Sequence, residues 1–227
     1  MKPSDFKMPL LRTKGLSVIN DRICHLAKYV TPEFPFSFPA WNHPDIFGNS
    51  NPVKIEFCSG NGQWIAQRAI DDPSTNWVAV EMKYGRTRKI WSKIKNLGLK
   101  NLFVVNGEGE SASQLYFPKN SVQEIYINFP DPWPKRHHER HRIVKTSFVK
   151  IMADLLTENG TVTIVTDDLF YSEWTLKTFK DSPDFISNIP FPHCTTDWQN
   201  YGNSFFEALW REKGRSIIYH KFQKAMK

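Results

Sequence analysis

Short apolar runs alternate with amphipathic stretches from residue 52 onward. Runs rich in Val, Ile and aromatic residues predict buried strands at residues 53–58, 77–81, 102–106, 124–129 and 161–166. Helical spacing of apolar residues predicts helices at residues 63–70, 84–97, 111–116, 142–156 and 170–179. This alternation indicates right-handed crossovers, so we predict an α/β fold with a doubly wound, mainly parallel sheet. An apolar run at residues 216–222 predicts an antiparallel closing strand.

Residues 1–50 have a different pattern, because prolines repeatedly interrupt it. We predict a partly ordered N-terminal arm at residues 1–50 and one domain at residues 51–227. The aromatic side chains that would anchor the arm are Phe34, Phe36, Phe38 and Trp41. The alternative is an arm that helps to hold a partner through its basic residues Lys7, Arg12 and Lys14.

Composition narrows the class of partner and the compartment. Lys and Arg number 30 against 23 Asp and Glu, which gives a formal charge of +7 and favours a polyanionic partner or a phosphate-bearing substrate. No apolar run is long enough for a membrane span, and the first thirty residues do not resemble a signal peptide. The three cysteines form no CxxC pair, which fits a reducing compartment. We therefore expect a cytoplasmic protein without a membrane partner, either a monomer or a homodimer.

Each predicted strand delivers a carboxylate at or just beyond its end. These residues are Glu56, Glu81, Glu108, Asp131 and Asp167. Ligands of open parallel sheets bind at the carboxyl ends of the strands, so this register predicts an edge that binds a polar or cationic ligand. A single acidic residue at such a place is more often a helix cap or a surface charge.

The glycine turn after the first predicted strand narrows the choice of ligand. In Gly60-Asn61-Gly62 the third glycine of a dinucleotide fingerprint is replaced by Ile65, and the preceding Glu56 would repel a pyrophosphate. A ligand with a cationic centre and a ribose fits better, and S-adenosylmethionine is such a molecule. Glu56 would then face its amino-acid or sulfonium side, and Glu81 its ribose hydroxyls. An ordinary tight turn remains the alternative.

The segment after the fourth predicted strand combines a rigid turn with a basic run. Prolines at 130, 132 and 134 restrict the backbone around Asp131 and Trp133. Lys135, Arg136, Arg140 and Arg142 follow, and we expect this basic run to contact the phosphates of a nucleic acid. The histidines among them miss the HExxH spacing by one residue and adjoin four cations, so we predict no metal.

A second basic stretch is the predicted helix 84–97, which has five Lys and Arg and no acidic residue. It is either a second RNA-binding face or a solvated surface, and the spacing leaves both open.

Taken together, the motifs resemble the bacterial tRNA (guanine-N(7)-)-methyltransferase family over residues 52–222. The resemblance rests on the glycine turn, Val80-Glu81, the block 129–135, Thr166-Asp167 and residues 204–207. It implies a class I S-adenosylmethionine-dependent, Rossmann-like methyltransferase with an N-terminal extension. It also implies methyl transfer to N(7) of a variable-loop guanosine in tRNA.

The resemblance also implies roles for particular residues. The cofactor site would contain Glu56, Gly60, Gly62, Glu81, Glu108 and Asp131. The substrate would meet Lys135, Asp167, Ser204, Phe205, Phe206 and Glu207. The chain departs from the family pattern at Cys58, usually glycine, at Glu108, usually Asp, and at Ser204-Phe205, usually Thr followed by a basic residue.

The expected chemistry needs no base, because N(7) of guanine carries a lone pair and no proton. Catalysis would be positioning and electrostatics, and we predict Asp131 as the carboxylate that stabilises the cationic product ring. The alternatives are a non-catalytic RNA-binding protein on a methyltransferase scaffold, a methyltransferase of another substrate and, less favoured by the glycine turn, a nicotinamide oxidoreductase.

Overall fold

The computed structural model describes residues 1–7, 16–27, 35–199, 201 and 204–226. The chain divides into two compact units, Met1–Pro118 and Lys119–Lys227. Three residues singled out in the N-terminal arm, Arg12, Lys14 and Phe34, lie outside the described residues. The predicted boundary at residue 50 falls inside the first unit and stays a prediction.

The first unit is a sheet with helices between its strands. Its strands are β1 (Val18–Asn20), β2 (Ile23–His25), β3 (Val53–Phe57), β4 (Asn76–Glu81) and β5 (Leu102–Asn106), in the order β1-β2-β5-β4-β3. All neighbours are parallel except β1 with β2. The helices are α1 (Gln63–Asp71), α2 (Tyr84–Leu97) and α3 (Gly109–Leu115). Every residue of β4 and β5 is buried, as expected for central strands covered on both faces.

The N-terminal segment contributes more to this unit than a surface arm. Strand β2 pairs with β5 in parallel, with His25 opposite Asn106. Strands β1 and β2 were not predicted from the sequence; they lie in a short stretch that precedes the first of the interrupting prolines at 32–52. The anchoring role of Phe38 and Trp41 is confirmed, since both rings are buried against Phe117.

The second unit carries the last four strands. These are β6 (Val122–Asn128), β7 (Leu156–Thr166), β8 (Phe185–Ser187) and β9 (Ile218–Lys224), in the order β6-β7-β9-β8. Strands β6 and β7 are parallel, whereas β9 is antiparallel to both β7 and β8, so the predicted antiparallel closing strand is confirmed. The helices are α4 (Thr146–Leu155), α5 (Leu169–Lys180) and α6 (Phe205–Glu212), and residues Arg136–His141 form a 3₁₀ helix.

The sequence-predicted α/β class with a mainly parallel sheet is confirmed, with one helix misplaced. The helix predicted at residues 142–156 begins at Thr146, because Arg142 and the N-cap residue Lys145 are extended. Strand β7 then starts directly at Leu156, five residues earlier than the apolar run suggested. Residues 142–145 are instead used to connect the 3₁₀ helix to α4.

Candidate functional site

The turn between β3 and α1 is closed by a carboxylate from β4. Glu81 Oε2 accepts a hydrogen bond from the Gly60 N–H at 2.9 Å, and Glu81 Oε1 accepts one from the Lys83 N–H at 2.8 Å. The Glu81 residue is only 5% exposed. Each carboxylate oxygen has more than one acceptor position, so this group can also accept from two hydroxyls of a ligand.

The glycine turn is tight for a packing reason. Gly62 has φ +69°, and a Cβ at this position would stand 2.6 Å from Cγ1 of Ile90 in α2. Gly62 therefore permits the close helix approach that a dinucleotide fingerprint assigns to its third glycine. Cys58 also has a positive φ, +59°, and is exposed. Glu56 is buried, and its main-chain oxygen accepts from the Ser59 hydroxyl at 2.7 Å.

A pocket of about 540 Å³ opens beside the ends of β2, β4 and β5. Its lining includes His25, Leu26, Met82, Asn106 and Glu108. The buried Asn106 side chain organises this end of the sheet. Its Nδ2 donates to the main-chain oxygens of Glu81 and Met82, both at 3.0 Å, and its Oδ1 lies 2.8 Å from His25 Nδ1. The walls are mostly apolar, which suits a flat ring.

Glu108 lies on the rim of this pocket and also caps a helix. It is the N-cap of α3, and its Oε2 accepts from the Ser111 N–H at 2.8 Å. Asp168 caps α5 in the same way through the Tyr171 N–H at 2.7 Å. Glu108 and Asp168 therefore both serve as helix N-caps, which is a common role of an acidic residue that follows a strand.

In the second unit, the proline segment forms a sharp elbow after β6. Phe129 and Trp133 both have positive φ, +50° and +44°. Asp131 and Lys135 are exposed on the elbow. The Trp133 ring packs against two histidine rings, with centroid distances of 5.4 Å to His138 and 5.1 Å to His141.

Arg142 departs from the predicted role of the basic run. We expected it to reach phosphates with the other basic residues, but it is 1% exposed. Its guanidinium donates to the main-chain oxygens of Pro132 and Trp133. The phosphate-binding prediction is therefore wrong for Arg142, because a guanidinium that is buried and bonded to the main chain cannot reach a phosphate.

The predicted substrate residues differ in exposure, and only 13% of the Asp167 side chain is exposed. Asp167 is paired with Arg215, whose guanidinium also lies 4.1 Å from the Trp210 ring centroid. Phe205 and Phe206 on α6 are exposed, and the Phe206 ring lies 6.2 Å from Phe129.

Ser204 and Glu207, by contrast, are buried at the start of α6. The Ser204 hydroxyl caps the helix by accepting from the Glu207 N–H at 3.0 Å. Glu207 Oε1 accepts from the Tyr219 hydroxyl at 2.8 Å and from Arg211 Nη2 at 3.0 Å. Burial, and then the bond to Glu207, raises the pKa of Tyr219 to about 12. Glu207 Oε2 is buried and has no hydrogen-bond partner among the residues that the structure describes.

Over the residues that the structure describes, no cluster of three or more His, Cys, Asp or Glu side chains suits a metal ion. Within the same residues, each helix is too short or too polar to cross a membrane.

Comparison with known proteins decides the family. A family model described as "Putative methyltransferase" matches residues 50–220. The tRNA (guanine-N(7)-)-methyltransferase of Chlamydia felis is 38% identical over 226 residues, which cover 100% of this chain and 99% of that protein. The protein of the same name from Thermotoga maritima is 32% identical over 187 residues, which cover 82% of this chain and 57% of that protein.

The chain belongs to the tRNA (guanine-N(7)-)-methyltransferase family. The resemblance inferred from the motifs is thereby confirmed.

Solved structures agree on the fold of this tRNA (guanine-N(7)-)-methyltransferase family member. The 16S rRNA methyltransferase KamB has a TM-score of 0.62 at 15% identity, covering 84% of this chain and 96% of that one. A SAM-dependent methyltransferase from Aquifex aeolicus has a TM-score of 0.54 at 12% identity, covering 78% and 85%. The predicted class I, Rossmann-like fold is confirmed.

In this methyltransferase, several residues of the candidate site were missed from the sequence. His25 and Asn106 line the pocket, and Tyr219 holds Glu207 in place. Arg142 was named as part of the basic run, but its contacts with the elbow were not predicted. The position of Asn106 at a strand end was a usable signal. The other three carry none, because their roles depend on which element packs against them.

Proposed function

We propose that this chain transfers a methyl group from S-adenosylmethionine to N(7) of a guanosine in the variable loop of tRNA, in the cytoplasm. The observation that carries the proposal is the buried Glu81 carboxylate, which is clasped by the Gly60 and Lys83 N–H groups at the end of β4. Such a carboxylate is oriented before any ligand arrives, so a ribose diol can bind to it without reorganising the turn.

The residues of the first unit fit the methyl donor. Glu56 and Glu81 supply negative charge near the glycine turn, which suits a cationic ligand. The pocket that Met82, the residue after Glu81, helps to line has apolar walls from Leu26 and Leu115, and Glu108 in its lining can accept from an amino group. When bound, S-adenosylmethionine supplies a methyl group on a positively charged sulfur. Gly60 and Gly62 keep the turn tight enough for close approach.

Exposed residues of the second unit suit the nucleic acid. Lys135 offers a cation for phosphate, and the Phe205 and Phe206 rings offer faces on which a base can stack. We assign Asp167 to the guanine edge through Oδ1, because Oδ2 is the oxygen that pairs with Arg215. Ser204 and Glu207 do not contact the substrate in this proposal. They fix the start of α6, the helix that carries both rings.

Asp131 is the residue to which we assign the electrostatic contribution. The N(7) lone pair attacks without losing a proton, and the product ring is cationic. A carboxylate held by prolines on both sides stabilises that charge with little reorganisation, since its position is set before the reaction. A partner metal is not required by this chemistry.

The test is a methyl-transfer assay with labelled donor and unmodified tRNA, followed by identification of the modified nucleoside. We expect label in 7-methylguanosine, and a kcat about 100-fold lower for Asp131→Ala at saturating donor. The matched control is Glu173→Ala, which removes an exposed carboxylate of the same unit. Near-normal turnover of Asp131→Ala would remove Asp131 from the mechanism, and label in another nucleoside would refute the proposed function. A pure RNA-binding protein would give no heat on titration with the donor.

A further inference from the structure

Arg142 is among the largest side chains that are fully buried in this chain. It belongs by sequence to the basic run after the proline elbow, yet its guanidinium faces inward. A buried arginine is costly unless its charge and its N–H groups are satisfied, so its partners indicate its role.

Those partners include two consecutive main-chain oxygens of the elbow. Nε donates to Pro132 at 3.1 Å and Nη2 donates to Trp133 at 3.0 Å. The planar fork of an arginine can bind both oxygens at once, whereas a lysine ammonium acts as a single point. The peptide units Pro132–Trp133 and Trp133–Pro134, which begin one residue after Asp131, are therefore held by one side chain.

The guanidinium is itself enclosed by three groups. It lies 4.4 Å from the Trp174 ring centroid and 5.0 Å from that of Phe170, and Nη1 lies 3.7 Å from Glu139 Oε1. Trp174 is fixed in turn, because its Nε1 donates to the Val144 main-chain oxygen. Rings and a carboxylate compensate the buried charge, so the clamp has little freedom to turn toward a ligand.

The elbow needs such a clamp. Prolines 130, 132 and 134 have no N–H group, so this backbone has few donors of its own. Trp133 is also in the left-handed region at φ +44°, a conformation that persists only where the surroundings determine it.

We propose that Arg142 is a positioning residue for methyl transfer, which fixes the elbow that presents Asp131 and does not bind RNA phosphate. The proposal rests on the proposed function. Loss of the clamp frees the elbow, so Asp131 leaves its stabilising position while the binding of donor and of tRNA phosphates persists. Loss of a positioning arginine therefore lowers kcat and leaves tRNA binding unchanged, whereas loss of a phosphate-binding arginine lowers the affinity for tRNA and its salt dependence.

The experiment compares Arg142→Met with Arg140→Met, which removes an exposed arginine two residues earlier. For Arg142→Met we expect kcat to fall about 100-fold, with unchanged donor affinity and an unchanged slope of log Kd for tRNA against log salt. For Arg140→Met we expect weaker tRNA binding, with a slope that falls by about 1, because an exposed cation of the basic run is lost. Added guanidinium ion should restore part of the kcat of Arg142→Ala.

A second measurement needs no activity. Hydrogen exchange at the His138 amide, which donates to the Lys135 main-chain oxygen at 2.8 Å and follows the elbow, should be at least 10-fold faster in Arg142→Lys than in the wild-type protein, because lysine cannot bridge both elbow oxygens. Unchanged exchange there, or an Arg142→Met variant that loses salt slope and keeps kcat, would overturn the proposal. Absence of methyl transfer by the wild-type protein would refute the proposed function alone, since the exchange result would still test the clamp.

Discussion

Glu81 Oε2 lies 2.9 Å from the backbone nitrogen of Gly60 and accepts its hydrogen. This bond joins the end of β4 to the glycine turn that follows β3, two neighbouring parallel strands. The same carboxylate therefore shapes the turn and offers its remaining acceptor positions to a ligand. In the proposed donor site, turn geometry and ligand recognition would therefore be coupled through one side chain.

The first prediction concerns this coupling. In Glu81→Gln the amide nitrogen must face either the Gly60 or the Lys83 N–H, so one donor meets another donor. A hydrogen bond that involves a charged group contributes about 2 kcal/mol, so we expect the Kd for S-adenosylmethionine to rise about 30-fold. Isothermal titration calorimetry with the donor measures this directly.

The matched control for Glu81→Gln is Glu158→Gln, which makes the same chemical change at an exposed residue of β7. Its donor affinity should equal that of the wild-type protein. Equal affinities for Glu81→Gln and Glu158→Gln would show that Glu81 has no part in donor binding.

The second prediction concerns Cys58, where the backbone has φ +59°. Left-handed backbone costs a non-glycine residue roughly 1–2 kcal/mol, and glycine avoids that cost but gains entropy in the unfolded state. We expect Cys58→Gly to raise the free energy of unfolding by about 0.5–1 kcal/mol, and Cys58→Val to lower it. Urea unfolding measures both.

Cys194→Ser serves as the control for loss of a thiol, since its backbone is not in the left-handed region. Should Cys58→Gly be less stable than the wild-type protein, the strain assigned to this turn is absent.

Most of the fold was predictable because it rests on local patterns. The five buried runs became β3, β4, β5, β6 and β7, because continuous apolar segments bounded by turns have few other uses. The three-residue strands β1, β2 and β8 were missed, since so short a run has no readable period. They form because each pairs with the edge of a neighbouring strand. That pairing depends on the tertiary structure and cannot be recognised from the local sequence.

The candidate site was predictable at strand ends and not elsewhere. Glu81 could be predicted as a site residue from its position at a strand end. Arg142 and Arg140, by contrast, cannot be distinguished by sequence, because both belong to the same basic run. Only the packing of Trp174 and the elbow oxygens separates the buried residue from the exposed one. Likewise, an acidic residue after a strand can be a ligand, a cap or both, as Glu108 illustrates.

The third prediction follows from the raised pKa of Tyr219. Burial, and then Glu207, shifts this pKa from its ordinary 10.0 to about 12 in the folded protein. Between these values the unfolded chain has lost the Tyr219 proton while the folded protein keeps it. Stability from this group is therefore complete below pH 10 and is lost as pH rises toward 12.

In Tyr219→Phe this loss should disappear, so the unfolding midpoint in urea should fall less steeply from pH 10 to 12 than in the wild-type protein. At pH 7 the variant should be about 1 kcal/mol less stable, because Glu207 loses a buried donor. Tyr116→Phe removes a tyrosine of the first unit and should keep the wild-type slope. Identical slopes in all three proteins would contradict the assignment.

The last prediction concerns the basic helix α2, for which an RNA-binding face and a solvated surface were both open. Three of its five basic side chains have partners within the unit. Arg86 lies 3.8 Å from Glu81, Arg88 donates to the Pro3 main-chain oxygen, and Lys95 lies 2.8 Å from Asp21. Partners within the chain favour the surface interpretation.

The first residues of the chain also cover part of α2. The Ser92 hydroxyl and Asn96 Nδ2 both donate to the Met1 main-chain oxygen, and the Phe6 ring lies 4.9 Å from that of Trp91. A helix face that is packed in this way is not available to a duplex or a loop of RNA.

We therefore expect the double variant Lys89→Glu/Lys93→Glu to bind tRNA with unchanged affinity and salt dependence. Lys95→Glu should instead lower stability by about 0.5–1 kcal/mol, since it places a carboxylate beside Asp21 in a partly exposed pair. Binding titrations at several salt concentrations and thermal unfolding separate the two effects. A salt slope that falls by about 2 in the double variant would make α2 an RNA-binding face after all, because each phosphate contact contributes close to one unit of slope.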